Sequence, residues 1–318
     1  LDSNTTASNN TAVGKSALYA NTTGANNTAT GYQSLQGNTT GGSNVAMGKD
    51  TLEANTTGND NTALGKDALS ANTTASNNTA VGGAALIANT TGTGNTAVGQ
   101  GAGEELTTAS EVTLIGHRAG ENITTGNNNI CIGYVAGAYS TSITTGLGNT
   151  VIGNYTMPES TSTEYANIFG YNVTGASNYT TIGKGTADAR NAHGASTWAT
   201  VSDERYKKDI TTSTAGLSFI NDLTPRTWNY KTLGELPETF NAYEADSTEV
   251  FKNTQTNHGF IAQEVKAVID AHSEIKDGFR MWDDREDGSQ EVAEAALIPV
   301  LVKAIQELST QNAALEAR

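Results

Sequence analysis

The chain has 318 residues, a net charge of −15 and a pI of about 4.6. An acidic surface repels phosphate backbones and anionic lipid headgroups, so this composition argues against nucleic acid or a membrane surface as a partner. No apolar run approaches the ~18 residues of a membrane-spanning helix, which predicts no membrane insertion, and Cys131, the one cysteine, leaves no intrachain disulfide framework.

The first part of the chain repeats every seventeen residues. The segment "NNTAVGKSALYANTTGA" recurs as "NNTATGYQSLQGNTTGG" and then as "SNVAMGKDTLEANTTGN". A fixed period of this size is typical of solenoid proteins and predicts at least ten coils. One glycine per coil marks the period, with a three-residue insertion before the last two: Gly14, Gly31, Gly48, Gly65, Gly82, Gly99, Gly116, Gly133, Gly153 and Gly170.

Each repeat predicts one short strand and one turn. "TAVG" alternates apolar positions and ends in a glycine suited to positive φ or close backbone approach, and "ALxxNTTG" supplies an apolar anchor and a polar turn. Stacked coils pair each strand with its neighbours and align Asn and Thr into hydrogen-bonded ladders. Disorder is the alternative for so polar a segment, but a disordered linker lacks this strict phasing. The repeated "NTT" also fits a glycosylation sequon, and its fixed phase favours turn chemistry.

The composition of the repeats bears on assembly. A thin core of Ala and Val is weak for one chain, which favours several chains packing side by side. The pattern resembles the collar-and-head repeats of trimeric bacterial adhesins, whose period is shorter, and the shafts of phage tail fibres. The resemblance implies a trimeric parallel β-solenoid shaft, which we assign to residues 1–187, with a connector at 188–200.

Residues 201–318 are predicted to form a small α+β domain. Together with the longer β-solenoid, this predicts a mostly-β chain. "GLSFINDLTPRTWNYK" has the pattern of a helix followed by a strand, and "HGFIAQEVKAVIDAH" that of an amphipathic helix after a glycine turn. The segment 296–318 has a heptad spacing that predicts a coiled-coil seam. Its a positions are Ile298, Ile305 and Asn312, and its d positions are Leu301, Leu308 and Leu315. A surface helix packed on its own domain is the alternative.

Three segments together resemble one family. "SDERYKKDI", "GFIAQEV" and "ALIPVLVKAIQEL" occur in the order and spacing of the C-terminal intramolecular chaperone domain of phage endosialidases and tail fibres. The resemblance implies a domain that trimerises, templates the folding of the upstream shaft and then cuts itself off at the boundary.

The same resemblance implies a catalytic dyad of Ser202 and Lys207. A Lys activates a Ser only when it is neutral, through desolvation or neighbouring positive charge, and Arg205 and Lys208 are placed to help. Side chains five residues apart diverge on a helix or a strand, so this pair meets only across a turn or between chains. The alternative is that Ser202 merely caps a helix.

His258 and Glu264 are candidate auxiliary groups for this chemistry. A His before a glycine turn and a Glu on a helix face are more often simply solvated, and that alternative stays open.

The bond that is cut has two candidates. Family members are described as cut between the Ser and the Asp, here Ser202 and Asp203. Attack by Ser202 on its own carbonyl requires a strained four-membered ring, whereas attack on the carbonyl of Val201 passes through a five-membered one. Attack from another chain removes the strain. We expect the Ser202–Asp203 bond on the resemblance, while the simple chemistry favours the preceding one.

These features predict a phage tail fibre or spike segment that binds a host cell-surface receptor, with glycans among the candidates. We expect a homotrimer in the virion, assembled in the host cytoplasm, with one turnover of serine autoproteolysis, no other substrate, no cofactor and no metal. The sequence does not begin with Met, so we expect a longer protein upstream. A bacterial trimeric surface adhesin and a polysaccharide-degrading tail spike are the alternatives, although no carboxylate pair suited to glycosidase chemistry stands out.

Overall fold

The computed structural model describes residues 2–200, 202–275, 279, 281–285 and 288–318, with the backbone alone described at Tyr206. The chain divides into two compact units, Leu1–Asp203 and Glu204–Arg318.

The first unit is a parallel β-solenoid of about ten turns. Ten short strands pair in parallel with the strand of the next coil, seventeen residues on where the repeat is regular. This confirms the predicted mostly-β class and the stacking of the repeats. The strands are β1 (Thr11–Val13), β2 (Thr28–Thr30), β3 (Val45–Met47), β4 (Thr62–Leu64), β5 (Thr79–Val81), β6 (Thr96–Val98), β7 (Thr113–Ile115), β8 (Ile130–Ile132), β9 (Thr150–Ile152) and, two strands later in the chain, β11 (Asn167–Tyr171).

The core of the solenoid is built from alternate strand residues and from the turns. The second residue of each of these strands from β2 onward is buried, as Ala29 and Ala46 are, and in the first coils it packs with a buried turn leucine such as Leu35 or Leu52. The prediction that Ala and Val form the core was therefore wrong for the Val of "TAVG", whose side chain lies on the outer face of the sheet. Val13 is 58% exposed and Val98 is 37% exposed.

The third strand residues form a continuous row on the outer face of the sheet, which we call the outer stripe. The pairing register places them side by side from coil to coil. The outer stripe consists of Val13, Thr30, Met47, Leu64, Val81, Val98, Ile115, Ile132, Ile152, Phe169 and Ile182.

Side-chain ladders connect the coils, as the sequence predicts. One buried column passes a hydrogen bond from each Asn to the Asn seventeen residues earlier, with 2.8 Å between Asn55 Nδ2 and Asn38 Oδ1 and between Asn72 Nδ2 and Asn55 Oδ1. A second column runs through Asn44 and Asn61. Thr hydroxyls make a third series, each donating to the carbonyl of the Thr in the next coil. Buried amides satisfied in this way stabilise one register.

The composition of the core changes midway along the solenoid. In the first five coils the turn position holds a leucine in the left-handed region, such as Leu86 with φ 52°. In the next three coils that position holds Gly103, Gly120 and Gly137. The lost volume is replaced from elsewhere in the coil, because Leu114 stands where earlier strands have Ala. Leu106, Ile123 and Ile143 are buried where the first Asn column would continue.

The strand-ending glycines are required by the stacking itself. At Gly65, φ is +132° and a Cβ would lie 2.5 Å from the carbonyl oxygen of Gly82 in the next coil. A side chain at this phase would separate neighbouring coils, which explains why the glycine recurs in every repeat.

Antiparallel pairing ends the large sheet. β10 (Met157–Pro158) and β12 (Thr174–Gly175) form a small parallel pair. β13 (Tyr179–Lys184) continues the large sheet, and β14 (Ala187–Ala192) and β15 (Ala199–Thr200) add to it in antiparallel fashion. Residues 188–200, predicted as a connector, thus contribute two strands to this sheet.

The described residues of the second unit form three helices, the last of them C-terminal, and two antiparallel strand pairs. α1 (Leu217–Asp222), α2 (Ala262–Ala271) and α3 (Ile298–Glu316) are its helices. β16 (Arg226–Trp228) pairs with β17 (Asn257–Gly259), and β18 (Trp282–Asp284) pairs with β19 (Gln290–Val292), both antiparallel. Short 3-10 helices lie at Glu204–Tyr206, Leu233–Glu235 and Glu294–Leu297.

The core of this domain lies where the three helices meet. Phe219 of α1 is fully buried, and Val265 of α2 and Val300 of α3 belong to the same cluster. The predicted helix at "GFIAQEV" and the helix-then-strand segment before it are confirmed, with Gly259 at the end of a strand rather than in a turn.

Candidate processing site and assembly surfaces

The segment that carries the predicted dyad is exposed and short of regular structure. Ser202 is exposed and Asp203 is half-buried, and both precede the single 3-10 turn Glu204–Tyr206. The backbone N–H of Lys207 donates to the carbonyl of Glu204 at 2.8 Å, which closes this turn. Neither a long helix nor a strand spans 202–207.

The surroundings of Lys207 bear on its chemistry. Its side chain is exposed in the single chain, as are those of Arg205 and Lys208. A lysine becomes a general base at neutral pH when it is desolvated or placed among positive charges. The boundary between the two compact units falls between Asp203 and Glu204. The carbonyl of Val201, the alternative target, lies outside the described residues.

The two candidate auxiliary residues lie on neighbouring elements of the second unit. His258 is exposed in β17, opposite Thr227 of β16. The carboxylate of Glu264 accepts two hydrogen bonds from Arg226, at 2.9 and 3.0 Å. The Arg226 guanidinium lowers the pKa of Glu264 below its ordinary value. That pairing favours a structural tie between α2 and β16 over proton transfer by Glu264.

A buried histidine that the sequence analysis did not single out joins two helix ends. His272 Nδ1 lies 2.8 Å from Glu274 Oε1, and Nε2 lies 2.8 Å from Asp222 Oδ2. Its ring packs edge-on against Phe219, 5.2 Å between centroids. The hydrogen bonds to Glu274 and then Asp222 raise the pKa of His272. Because both nitrogens donate only in the imidazolium form, this is a charged clamp.

A second unforeseen contact joins α1 to α3. Glu307 accepts a hydrogen bond from the backbone N–H of Leu217, 2.9 Å from its Oε2. That bond, assisted by Lys303, lowers the pKa of Glu307. The carboxylate takes the place of a capping side chain at a helix start where Gly216 supplies none.

The predicted seam residues lie on one exposed side of α3. Ile298, Ile305 and Leu315 are 62%, 64% and 65% exposed, Leu301 and Leu308 are less so, and Asn312 is also exposed. The helix packs on its own domain through a different side, which includes Val300 and Ala304. The helix thus packs on its own domain, and its predicted heptad face is exposed in the single chain.

The solenoid carries a column of aromatic rings. His117 stacks on Tyr134 with 5.3 Å between centroids, Tyr134 meets Tyr155 at 5.2 Å, and Tyr155 meets Tyr171 at 5.7 Å. Tyr134 and Tyr171 are nearly half exposed. Such rings offer flat apolar faces beside hydroxyl groups, a surface suited to polar ligands with apolar faces.

A family model matches part of the chain after the solenoid. Residues 202–274 match the Peptidase_S74 family model, described as chaperone of endosialidase. The match begins at Ser202 and includes Lys207, His258 and Glu264. It covers less than half of the chain and ends before α3. No curated protein and no solved structure matches the chain.

The matched domain and the preceding β-solenoid fit a tail-fibre-like protein with a C-terminal chaperone domain. The family name indicates autoprocessing peptidase activity. Within the described residues, no helix is long and apolar enough to cross a membrane. No cluster of His, Cys, Asp and Glu suited to a metal occurs in that part of the chain either.

Proposed function

We propose that this chain is a segment of a homotrimeric phage tail fibre or spike whose C-terminal domain drives assembly and then releases itself by autoproteolysis next to Ser202. The observation that carries the proposal is the chaperone-family match that begins at Ser202, directly after a β-solenoid. A shaft that gains its stability from contacts between chains nucleates slowly, and a trimerising domain raises the local concentration of the three chains.

In the proposed reaction the Ser202 hydroxyl attacks the scissile carbonyl, Lys207 accepts its proton, and the released amine takes a proton back. Water then hydrolyses the ester so formed. The exposure of both side chains in the single chain supports completion of the site by a neighbouring chain. An attack between chains also avoids the strained ring at the Ser202–Asp203 bond.

The test compares wild type with Ser202→Ala and Lys207→Ala by denaturing electrophoresis and intact mass. We expect wild type to release a C-terminal fragment and both variants to stay full length. Ser218→Ala and Lys231→Ala, both at exposed positions of the same domain, are the matched controls and should be cut normally. Cleavage of Ser202→Ala at the wild-type rate would refute the autoproteolysis.

The fragment's first residue distinguishes the two bonds, Asp203 for one and Ser202 for the other. Co-expression of Ser202→Ala with Lys207→Ala distinguishes the two geometries. Cleavage reappears in mixed trimers if the dyad forms between chains, and it stays absent if the dyad forms within one chain.

The proposal also includes attachment of the shaft to the host cell. We propose that the protein is assembled in the host cytoplasm and becomes part of the virion. The exposed aromatic column from His117 to Tyr171 supports a glycan as the receptor. We expect Tyr134→Ala with Tyr171→Ala to weaken binding to host cells without changing assembly. Unchanged binding would remove this column as the receptor surface.

A further inference from the structure

We infer that the outer stripe of the solenoid is the surface through which copies of this chain pack against one another along the shaft. The inference rests on the proposed function, because it names the partner and the face that a side-by-side assembly would use. Independent support comes from the side chains of the outer stripe, which the solenoid leaves exposed.

The outer stripe is apolar along its whole length. Of its eleven members only Thr30 is polar, and Met47, Ile115 and Ile182 are 49%, 40% and 48% exposed. Six of the apolar members are 37% to 58% exposed and the other four are partly buried, which amounts to about 500–700 Å² of apolar surface, at or above the upper range for a soluble monomer. An uncovered surface of this size indicates a partner.

Within the strands, the outer face carries no charge apart from Lys184 at the end of β13. The row that flanks the stripe pairs from Thr11 to Thr180 and holds only Thr, Val, Ile or Asn. The charged residues of the early coils, such as Lys49 and Asp50, lie instead on the turn after the strand-ending glycine. The chain as a whole carries −15. From β1 to β11, two acidic chains can therefore meet on this face without burying a charge, which would be costly.

The spacing of the stripe favours a second copy as the occupant. Its side chains recur once per coil, at the ~4.8 Å separation of neighbouring strands. A parallel copy presents the same residues at the same interval, so every coil finds its counterpart. The apolar area also approaches the roughly 800 Å² that each partner buries in a standard interface. A foreign protein would need the same period to cover the row.

The native cysteine does not interfere with a thiol-labelling test of the stripe. Cys131 is fully buried, and burial raises the pKa of its thiol to about 12, so it stays unreactive in the folded protein. A cysteine introduced at the stripe is then the reactive thiol to follow.

The experiment uses the purified full-length chain with Ile115→Cys or Ile152→Cys, and Thr125→Cys as the control at an exposed turn near the same coils. A bulky maleimide labels each thiol, with circular dichroism to check folding. We expect the stripe thiols to react about tenfold or more slowly than the control, because labelling requires local opening of the interface. All three should react equally in denaturant.

Sedimentation of the same samples separates the two ways to fail. A trimer in which the stripe thiols react as fast as Thr125→Cys would overturn the inference and leave the proposed function standing. A monomer with reactive stripe thiols would overturn both. Two stripe positions are used so that one poorly folded variant does not decide the result.

Discussion

The pairing around His272 shows how a single residue connects separate helices in the chaperone domain. Its two nitrogens face Asp222 at the end of α1 and Glu274 beyond α2, while Phe219 covers its ring. The raised pKa of His272 and the lowered pKa of Glu274 both favour the charged pair. The clamp therefore adds stability only in the pH range where the imidazole is protonated and the carboxylates are not.

We predict that His272→Gln destabilises the chaperone domain by about 1–2 kcal/mol near pH 5–6. The loss is no larger because Asp222 is largely exposed, so water screens its attraction to the imidazolium. A raised folded pKa gives a contribution that is full below the ordinary histidine value of ~6.5 and is lost as pH rises through the folded pKa. The contribution of Glu274 is lost as pH falls through its lowered pKa. The wild-type advantage should accordingly shrink toward both pH 9 and pH 3.

Urea unfolding at several pH values measures the difference in unfolding free energy between wild type and His272→Gln. Tryptophan fluorescence can follow it, because Trp282 packs against the domain core. His258→Gln, at an exposed strand position, serves as the control and should show no such pH dependence. A wild-type advantage that is constant from pH 5 to pH 9 would contradict the charged clamp.

At the scale of the coil, the solenoid fills the same core with two combinations of side chains. Early coils place Leu in the turn against Ala in the strand, and later coils place Gly in the turn against larger strand residues such as Leu114. Leucine in the left-handed region costs roughly 1–2 kcal/mol, which core burial offsets in the early coils. The later coils avoid that strain and recover the volume from the strand.

We predict that Gly120→Ala destabilises the solenoid, because its Cβ would lie 2.5 Å from Leu114 Cδ2 and 2.9 Å from Ile123 Cδ1. Overpacking of this kind costs about 1–3 kcal/mol. Combined with Leu114→Ala, the same change should cost less than the sum of the two single changes, since the clash is removed and the cavity partly filled. Guanidinium unfolding of the four proteins measures the coupling.

Gly185→Ala isolates the backbone part of this effect. Gly185 has φ +58°, close to the +57° of Gly120, and nothing lies within 4 Å of the added Cβ. Equal losses from Gly185→Ala and Gly120→Ala, or strict additivity with Leu114→Ala, would show that strain at φ and not packing governs the position.

At the scale of the whole molecule, each unit leaves one apolar face uncovered. The solenoid exposes its outer stripe, and α3 exposes the a and d positions of its heptad while Val300 and Ala304 face its own domain. Both faces are regular repeats, so both suit a partner with the same sequence. The acidic net charge would oppose association, and apolar burial must exceed that repulsion.

We predict that Leu301→Asp with Leu308→Asp prevents trimer formation, because two carboxylates per chain would be buried in the seam without partners. The matched control is Gln306→Asp with Ala313→Asp, which adds the same charges seven residues apart on another exposed side of α3. Sedimentation velocity at micromolar concentration measures the outcome. Trimers of the seam variant would show that α3 does not hold the chains together.

The period of the sequence determined much of this protein by itself. Strict phasing of "TAVG" and "NTT" predicts short strands, glycine at the contact between coils and ladders of Asn and Thr, since a repeat brings identical residues to the same place in each coil. The segments "SDERYKKDI" and "GFIAQEV" likewise indicated the family that residues 202–274 match. These features depend on neighbours in sequence or on a fixed interval.

The tertiary structure alone decided what depends on distant partners. Alternation in "TAVG" does not say which residue faces inward, and the buried leucines of the turns decide that Ala does and Val does not. Asp222 and His272 are fifty residues apart, and Arg226 and Glu264 are thirty-eight apart, with no spacing signal to link them. The heptad of α3 predicts a seam, but the packing against α1 decides which side of α3 contacts its own domain. The hydrophobic effect is non-directional, so the sequence does not specify which partner covers an apolar residue.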